Sequence, residues 1–248
     1  MCCSHYFVSS YTPTLAALLR AQEGQRVFPS DQIRLLAVAA EYAHDSRGPP
    51  LPNVPREVRT VLKRVKKAGA SGRSDAGAAS TADVIDMIKS ANLVHFACHG
   101  NQHASEPHES HFCLTTGNLS VADLTAVALD SAFFAFLSAC ETAKGDQEHA
   151  EEIVHLAATM LFAGFKSVVA TMWSVLQHMR WLTQAKDASR AMRDEDGPFI
   201  AKHFYKKLFK GDTIDVTTVP YALDAAITAL RESGASPERW ATFIHMGA

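Results

Sequence analysis

Four short apolar runs, separated by stretches of helical periodicity, limit this chain to a small set of folds. They cover 33–39, 92–98, 132–138 and 166–173, and each has the length of a buried strand. Between and after them the apolar residues fall at helical spacing. Val58, Val61, Leu62 and Val65 mark a helix over 55–67, and Val84, Ile85 and Ile88 mark another that Thr81 is expected to cap. Ser120-Val121-Ala122-Asp123 has the capping-box form and opens a third. Ile153, Leu156, Ala157, Met160 and Leu161 make a stripe that stops at Gly164, a C-cap glycine. Helices are then predicted over 178–193, 198–210 and 220–232, two of them with proline in the first turn. Strands alternating with helices predict an α/β sandwich on a mainly parallel sheet.

The remaining segments read as connections. Gly48-Pro49-Pro50-Leu51-Pro52 breaks regular structure, and 68–80, rich in Gly, Ala and Ser, reads as a flexible surface loop open to nicking. A short strand is expected over 111–115, with a turn at Gly117-Asn118. The first 20 residues, with a brief helix over 15–20, read as a leader to a single domain over 21–248.

Composition excludes several classes of partner. With a formal net charge of -2 and no long basic block, nucleic acid is not an expected ligand. Lys63, Arg64, Lys66 and Lys67 fall on the outer face of the 55–67 helix, where solvation accounts for them. No apolar run approaches the roughly 20 residues that cross a bilayer. Met1-Cys2-Cys3-Ser4-His5 lacks the form of a secretory signal, and acylation of Cys2 or Cys3 would need a second anchor to hold a membrane. The five cysteines suggest no disulfide framework. A reducing, cytoplasmic setting is expected, with Cys140 a free thiol.

Two of the strand runs end in a reactive side chain. Val94-His95-Phe96-Ala97-Cys98-His99-Gly100 delivers an imidazole followed by glycine, and Phe136-Leu137-Ser138-Ala139-Cys140-Glu141 delivers a thiol ahead of a polar loop. Carboxyl ends of parallel strands face a common crevice, and one crossover between these runs would bring His99 beside Cys140. A plain thiol, with a pKa near 8.5, is only about 3% thiolate at pH 7. A neighbouring imidazole raises that fraction or takes the proton during attack. Gly100 permits close substrate approach, and its amide is a candidate oxyanion donor. His95, inside its strand, is expected to bond a carboxylate or backbone, and Cys98 to pack in the core. A rival grouping of Cys98, His99, His103, His108, His111 and Cys113 invites zinc, but its spacing is irregular. Neither a metal nor a cofactor is expected.

His-Phe-Ala-Cys-His-Gly together with Leu-Ser-Ala-Cys-Glu-Thr-Ala-x-Gly resembles the CHAT domain, a branch of the caspase–separase–gingipain clan. Pro55-Arg56-Glu57-Val58, the helix from Glu152 to Gly164, Ser167 to Val175, and Trp240 to Gly247 resemble further parts of that domain, over about residues 9 to 248. The resemblance implies a caspase-like three-layer α/β/α sandwich. It implies a His99–Cys140 dyad and an oxyanion hole formed by the amides of Gly100 and Cys140. The implied activity is that of a cysteine endopeptidase acting on protein substrates, latent until a regulatory or TPR-containing partner orders its loops. The alternatives are an inactive caspase-like signalling scaffold, and acyl transfer or small-amide hydrolysis by the same dyad. One departure is that Val175 leads into Leu176-Gln177-His178 where the family commonly has aspartate, which bears on any preference for a basic residue before the cleaved bond.

Overall fold

A computed structural model describes residues 6–45, 50–75, 79–101, 106–127, 129, 131–138, 140–141, 154–171 and 194–248. In chain order the first elements are α1 (Leu15–Gln22), β1 (Val27–Pro29), β2 (Arg34–Ala39), α2 (Val54–Lys67), β3 (Ser71–Ser74), α3 (Thr81–Ser90), β4 (Leu93–Ala97) and β5 (His99–Asn101). Then come β6 (His111–Cys113), β7 (Asn118–Ser120), α4 (Val121–Thr125), β8 (Phe134–Leu137), β9 (Cys140–Glu141), α5 (Val154–Phe162) and β10 (Ser167–Thr171). The last are α6 (Asp196–Leu208), β11 (Thr213–Asp215), α7 (Val219–Glu232), α8 (Pro237–Trp240) and β12 (Phe243–Gly247).

Six of these strands form the central sheet in the order β12-β10-β8-β4-β2-β3. Every neighbouring pair is parallel except β10–β12, which closes one edge antiparallel. The inner strands β2, β4, β8 and β10 are mainly apolar because both faces are covered. Leu35, Ala37, Leu93, Phe134 and Phe136 join the core beneath α2, α6 and α7. Their alternates Leu36, Val38, Val94, Phe96, Ala135 and Leu137 join a second core beneath α3, α4 and α5. The fold is thus a three-layer α/β/α sandwich.

On the first face the packing is aromatic. Phe134, Phe136, Phe204 and Tyr205 are fully buried, with Phe134 stacked on Phe204 at 5.3 Å between ring centroids and Phe136 edge-on to Phe204 at 5.1 Å. On the second face Phe112 of β6 stacks on Phe96 of β4 at 4.2 Å. That contact fastens a second sheet, order β7-β6-β5-β9, beside the central one.

Several expectations need correction. The 68–80 segment is in part a strand: β3 pairs parallel with β2 from Arg34↔Ser71 to Ala37↔Ser74. Ser-Gly-Arg-Ser carries no apolar pattern because this edge strand is largely exposed and held by its backbone. Gly72 has a packing reason, since a Cβ there would stand 3.0 Å from Leu62 Cδ2 and 3.1 Å from Val65 Cγ1 of α2. The cap of α3 is Ser80 rather than Thr81: its hydroxyl accepts the Asp83 N–H, and the Asp83 carboxylate accepts the Ser80 N–H. That hydroxyl and, second, the Ser80 N–H hold the Asp83 carboxyl below the usual carboxylate range. The box at Ser120 and Asp123 opens α4 as its sequence indicates. Removing that cap in Ser120→Ala is expected to lower unfolding free energy in urea by about 1 kcal/mol.

The 1–20 leader is stitched into the domain from Ser10 onward. Tyr11 N–H donates to His245 O and Gly247 N–H donates to Tyr11 O, each at 2.9 Å, so residue 11 bridges to β12 beyond the edge of the sheet. The buried His245 ring lies between two hydroxyls, Ser10 Oγ at Nδ1 and Ser167 Oγ at Nε2, both at 2.7 Å. Burial pushes this imidazole down from 6.5 to about 4. The unfolded chain therefore takes up the proton near 6.5 and the folded chain only near 4. Stability falls as pH drops through that window and is level below it, a loss of about 3 kcal/mol from this group. Urea unfolding from neutral to acid pH is expected to show that slope in the native protein and to lack it in His245→Gln.

Some expectations lie outside the described residues. They include the break at Gly48-Pro49, His103, the polar loop after Glu141, Ile153, Trp173, the 178–193 helix and the Leu176-Gln177-His178 departure.

Candidate active site

The site is built by two neighbouring strands that change sheets together. β4 and β8 run parallel in the central sheet, with His95 opposite Phe136 and Phe96 opposite Leu137. β4 ends at Ala97, and after Cys98 the chain re-enters a ladder as β5; β8 ends at Leu137, and the chain re-enters as β9. In the second sheet β5 and β9 are again parallel, with His99 opposite Cys140 and Gly100 opposite Glu141. The residue offset is the same in both ladders, so one register passes unbroken from the core to the edge. Neighbouring strands lie about 4.8 Å apart, which sets the backbones of His99 and Cys140 side by side.

His99 and Gly100 are buried. On its other edge β5 pairs antiparallel with β6, which sets Cys113 opposite His99 and Phe112 opposite Gly100. Cys113 was legible only as a zinc candidate, and its place beside His99 depends on the 111–113 hairpin strand. Cys98 is fully buried in the core beneath α3, α4 and α5, as its place in the alternation predicts. Among the described residues no three His, Cys, Asp or Glu side chains lie close enough together to hold a metal ion.

Beneath this edge lies a buried polar chain. Glu57, in the first turn of α2, sits 3.0 Å by Oε1 from His95 Nε2, and Tyr205 of α6 sits 3.0 Å by its hydroxyl from His95 Nδ1. His95 and Tyr205 are fully buried and Glu57 is 3% exposed. The assignment that uses every donor has the Tyr205 O–H donating to Nδ1 and the Nε2–H donating to Glu57. Burial and, second, the Glu57 charge push the Tyr205 phenol well above 10, which keeps it a donor. The His95 ring also stacks on Phe136, its register partner, at 4.9 Å. A carboxylate partner for His95 agrees with its sequence reading.

Glu57 and Tyr205 were missed as members of this chain. Glu57 had a signal: with Val54, Val58, Val61 and Val65 it occupies an inward position of the α2 stripe, where a charge needs a partner. The other Glu57 oxygen faces the start of α6. A Cβ built on Gly197 would stand 2.5 Å from Oε2 and 3.0 Å from Ser138 Oγ, so only glycine admits this approach. The α6 N-terminus also presents the positive end of its dipole to that carboxylate.

The family model for the CHAT domain matches residues 3–248. Among solved structures, the Arg specific cysteine proteinase gingipain R is similar at a TM-score of 0.60 with 12% sequence identity, over 93% of this chain and 50% of that one. At that identity the likeness shows the fold alone, and this chain spans about half the length of that protein. No curated protein matches the chain.

Proposed function

From the premise that this chain belongs to the CHAT domain family, we propose that it is a cysteine endopeptidase working through His99 and Cys140. The observation that carries this reading is the parallel register setting the two residues opposite each other at the edge where the strands leave the core. Cys140 Sγ gives up its proton to His99 and forms a bond to the scissile carbonyl carbon. The resulting oxyanion is held by the amides of Gly100 and Cys140. Collapse of that intermediate breaks the C–N bond, and His99 returns the proton to the leaving amine. Water, deprotonated by the same imidazole, then hydrolyses the thioester and restores the thiol. The substrate is a polypeptide, and the activity is latent until a regulatory protein switches it on. The setting is a reducing cytoplasm, where the thiol persists.

The test is an electrophilic peptide probe, applied with and without candidate activating proteins, with the modified residue mapped by mass spectrometry. Labelling at Cys140 that His99→Ala abolishes is the expected result. Labelling spread over the cysteines by exposure alone, unchanged in His99→Ala, overturns the dyad and favours a non-catalytic caspase-like scaffold.

A further inference from the structure

We propose that Glu57, His95 and Tyr205 form a positioning network that holds β4 and β8 in the register setting His99 opposite Cys140. The inference rests on the dyad reading above and adds a second layer beneath it. None of the three touches the reacting atoms in this proposal; they act through the two strands.

Three observations join the network to both halves of the dyad. His95 lies on β4, four residues before His99, and each of its ring nitrogens is engaged, one by α2 and one by α6. The ring stacks on Phe136, so the strand that leads to Cys140 carries the other side of the contact. The Glu57 carboxylate then reaches past His95 to the space shared by Gly197 and Ser138 Oγ, and Ser138 directly follows β8, two residues before Cys140. The Ser138 N–H donates to Phe96 O at 2.8 Å, which carries the β4–β8 ladder to that point. One carboxylate thus engages β4 through His95 and borders, with Ser138, the space at Gly197 just past the end of β8.

A solely structural role does not require polar groups here. The surrounding face is aromatic, and buried polar groups seldom stabilise more than apolar ones of equal volume. In strands that are apolar on both faces the hydrophobic pattern separates one register from the next only weakly, and directional bonds add the missing discrimination. In a ladder with a two-residue side-chain period, a one-residue slip between β4 and β8 turns the inward set outward and takes His99 out of step with Cys140.

The experiment follows alkylation of Cys140 by iodoacetamide against pH in the full chain, quantified peptide by peptide, for the native protein, His99→Ala, Glu57→Gln, His95→Phe and Tyr205→Phe. Thermal unfolding of each is recorded alongside. In the native protein the midpoint is expected below the roughly 8.5 of a plain thiol, and His99→Ala returns it there. Each network variant is expected to move the midpoint toward that of His99→Ala, slowing alkylation near pH 6.5 about tenfold for each pH unit moved. Cys98 and Cys113 stay protected in these variants, and His95→Gln, which keeps a donor and an acceptor, recovers part of the native profile. Tyr205→Phe removes a single oxygen, so it decides the matter if Glu57→Gln or His95→Phe fails to fold. A native alkylation profile in folded Tyr205→Phe and Glu57→Gln, with His99→Ala still shifted, overturns the network and spares the dyad. A native protein whose Cys140 titrates like a plain thiol overturns both.

Discussion

Cys140→Ala is expected to abolish peptide hydrolysis, with a loss in kcat of at least about a thousandfold, while the unfolding midpoint stays within a degree or two of the native value. The magnitude follows from covalent catalysis. Without the thiol no acyl-enzyme forms, and only transition-state binding by the backbone amides remains. Stability is spared because Cys140 begins a strand of only two residues, β9, at the edge of the second sheet. The measurement is initial-rate cleavage of a positional peptide library, with and without candidate activating proteins, and calorimetry on the same samples. His99→Ala should fall in the same range, and the double variant should be no worse than either single one, because the two groups act as a unit. Equal cleavage by native protein and Cys140→Ala would transfer any observed activity to another site or a contaminant.

The second large effect is on stability. Phe136→Ala is expected to cost about 3–5 kcal/mol in urea-induced unfolding. Phe136 is fully buried and meets four aromatic rings: Phe134, Phe204, Tyr205 and His95. Truncation removes the transfer free energy of the ring and leaves a cavity between β8 and α6 that packed neighbours only partly fill. It also removes the surface on which His95 stacks, so Cys140 alkylation should lose its low-pH component in whatever fraction stays folded. Phe136→Leu, which restores most of the volume, should cost about half as much. A loss under about 1 kcal/mol for Phe136→Ala would mean that the aromatic cluster is not packed as described.

The two edge features that escaped prediction did so for a common reason. β3 reads Ser-Gly-Arg-Ser because three of its four residues face solvent, and a strand held by its backbone needs no apolar pattern. Ser10 and Tyr11 looked like a leader because hydrogen bonds to His245 and the β12 backbone hold them, with Tyr11 itself exposed. By contrast β2, β4, β8 and β10 were legible, since burial on both faces makes their sequences mainly apolar. Glu57 was half legible: its place on the α2 stripe marks it as inward-facing, but which ring it meets depends on a strand 38 positions away.

Residue types and their spacing were enough to establish the layered architecture and the helix cap at Ser120. They were enough because those features depend on burial and backbone preference within a dozen residues. Tertiary structure alone decided that β4 and β8 are neighbours, that one register carries from the core into the second sheet, and that Glu57 and Tyr205 meet at His95. Each of these is a contact between segments far apart in the chain. Its geometry follows from how whole layers pack, which no local pattern encodes.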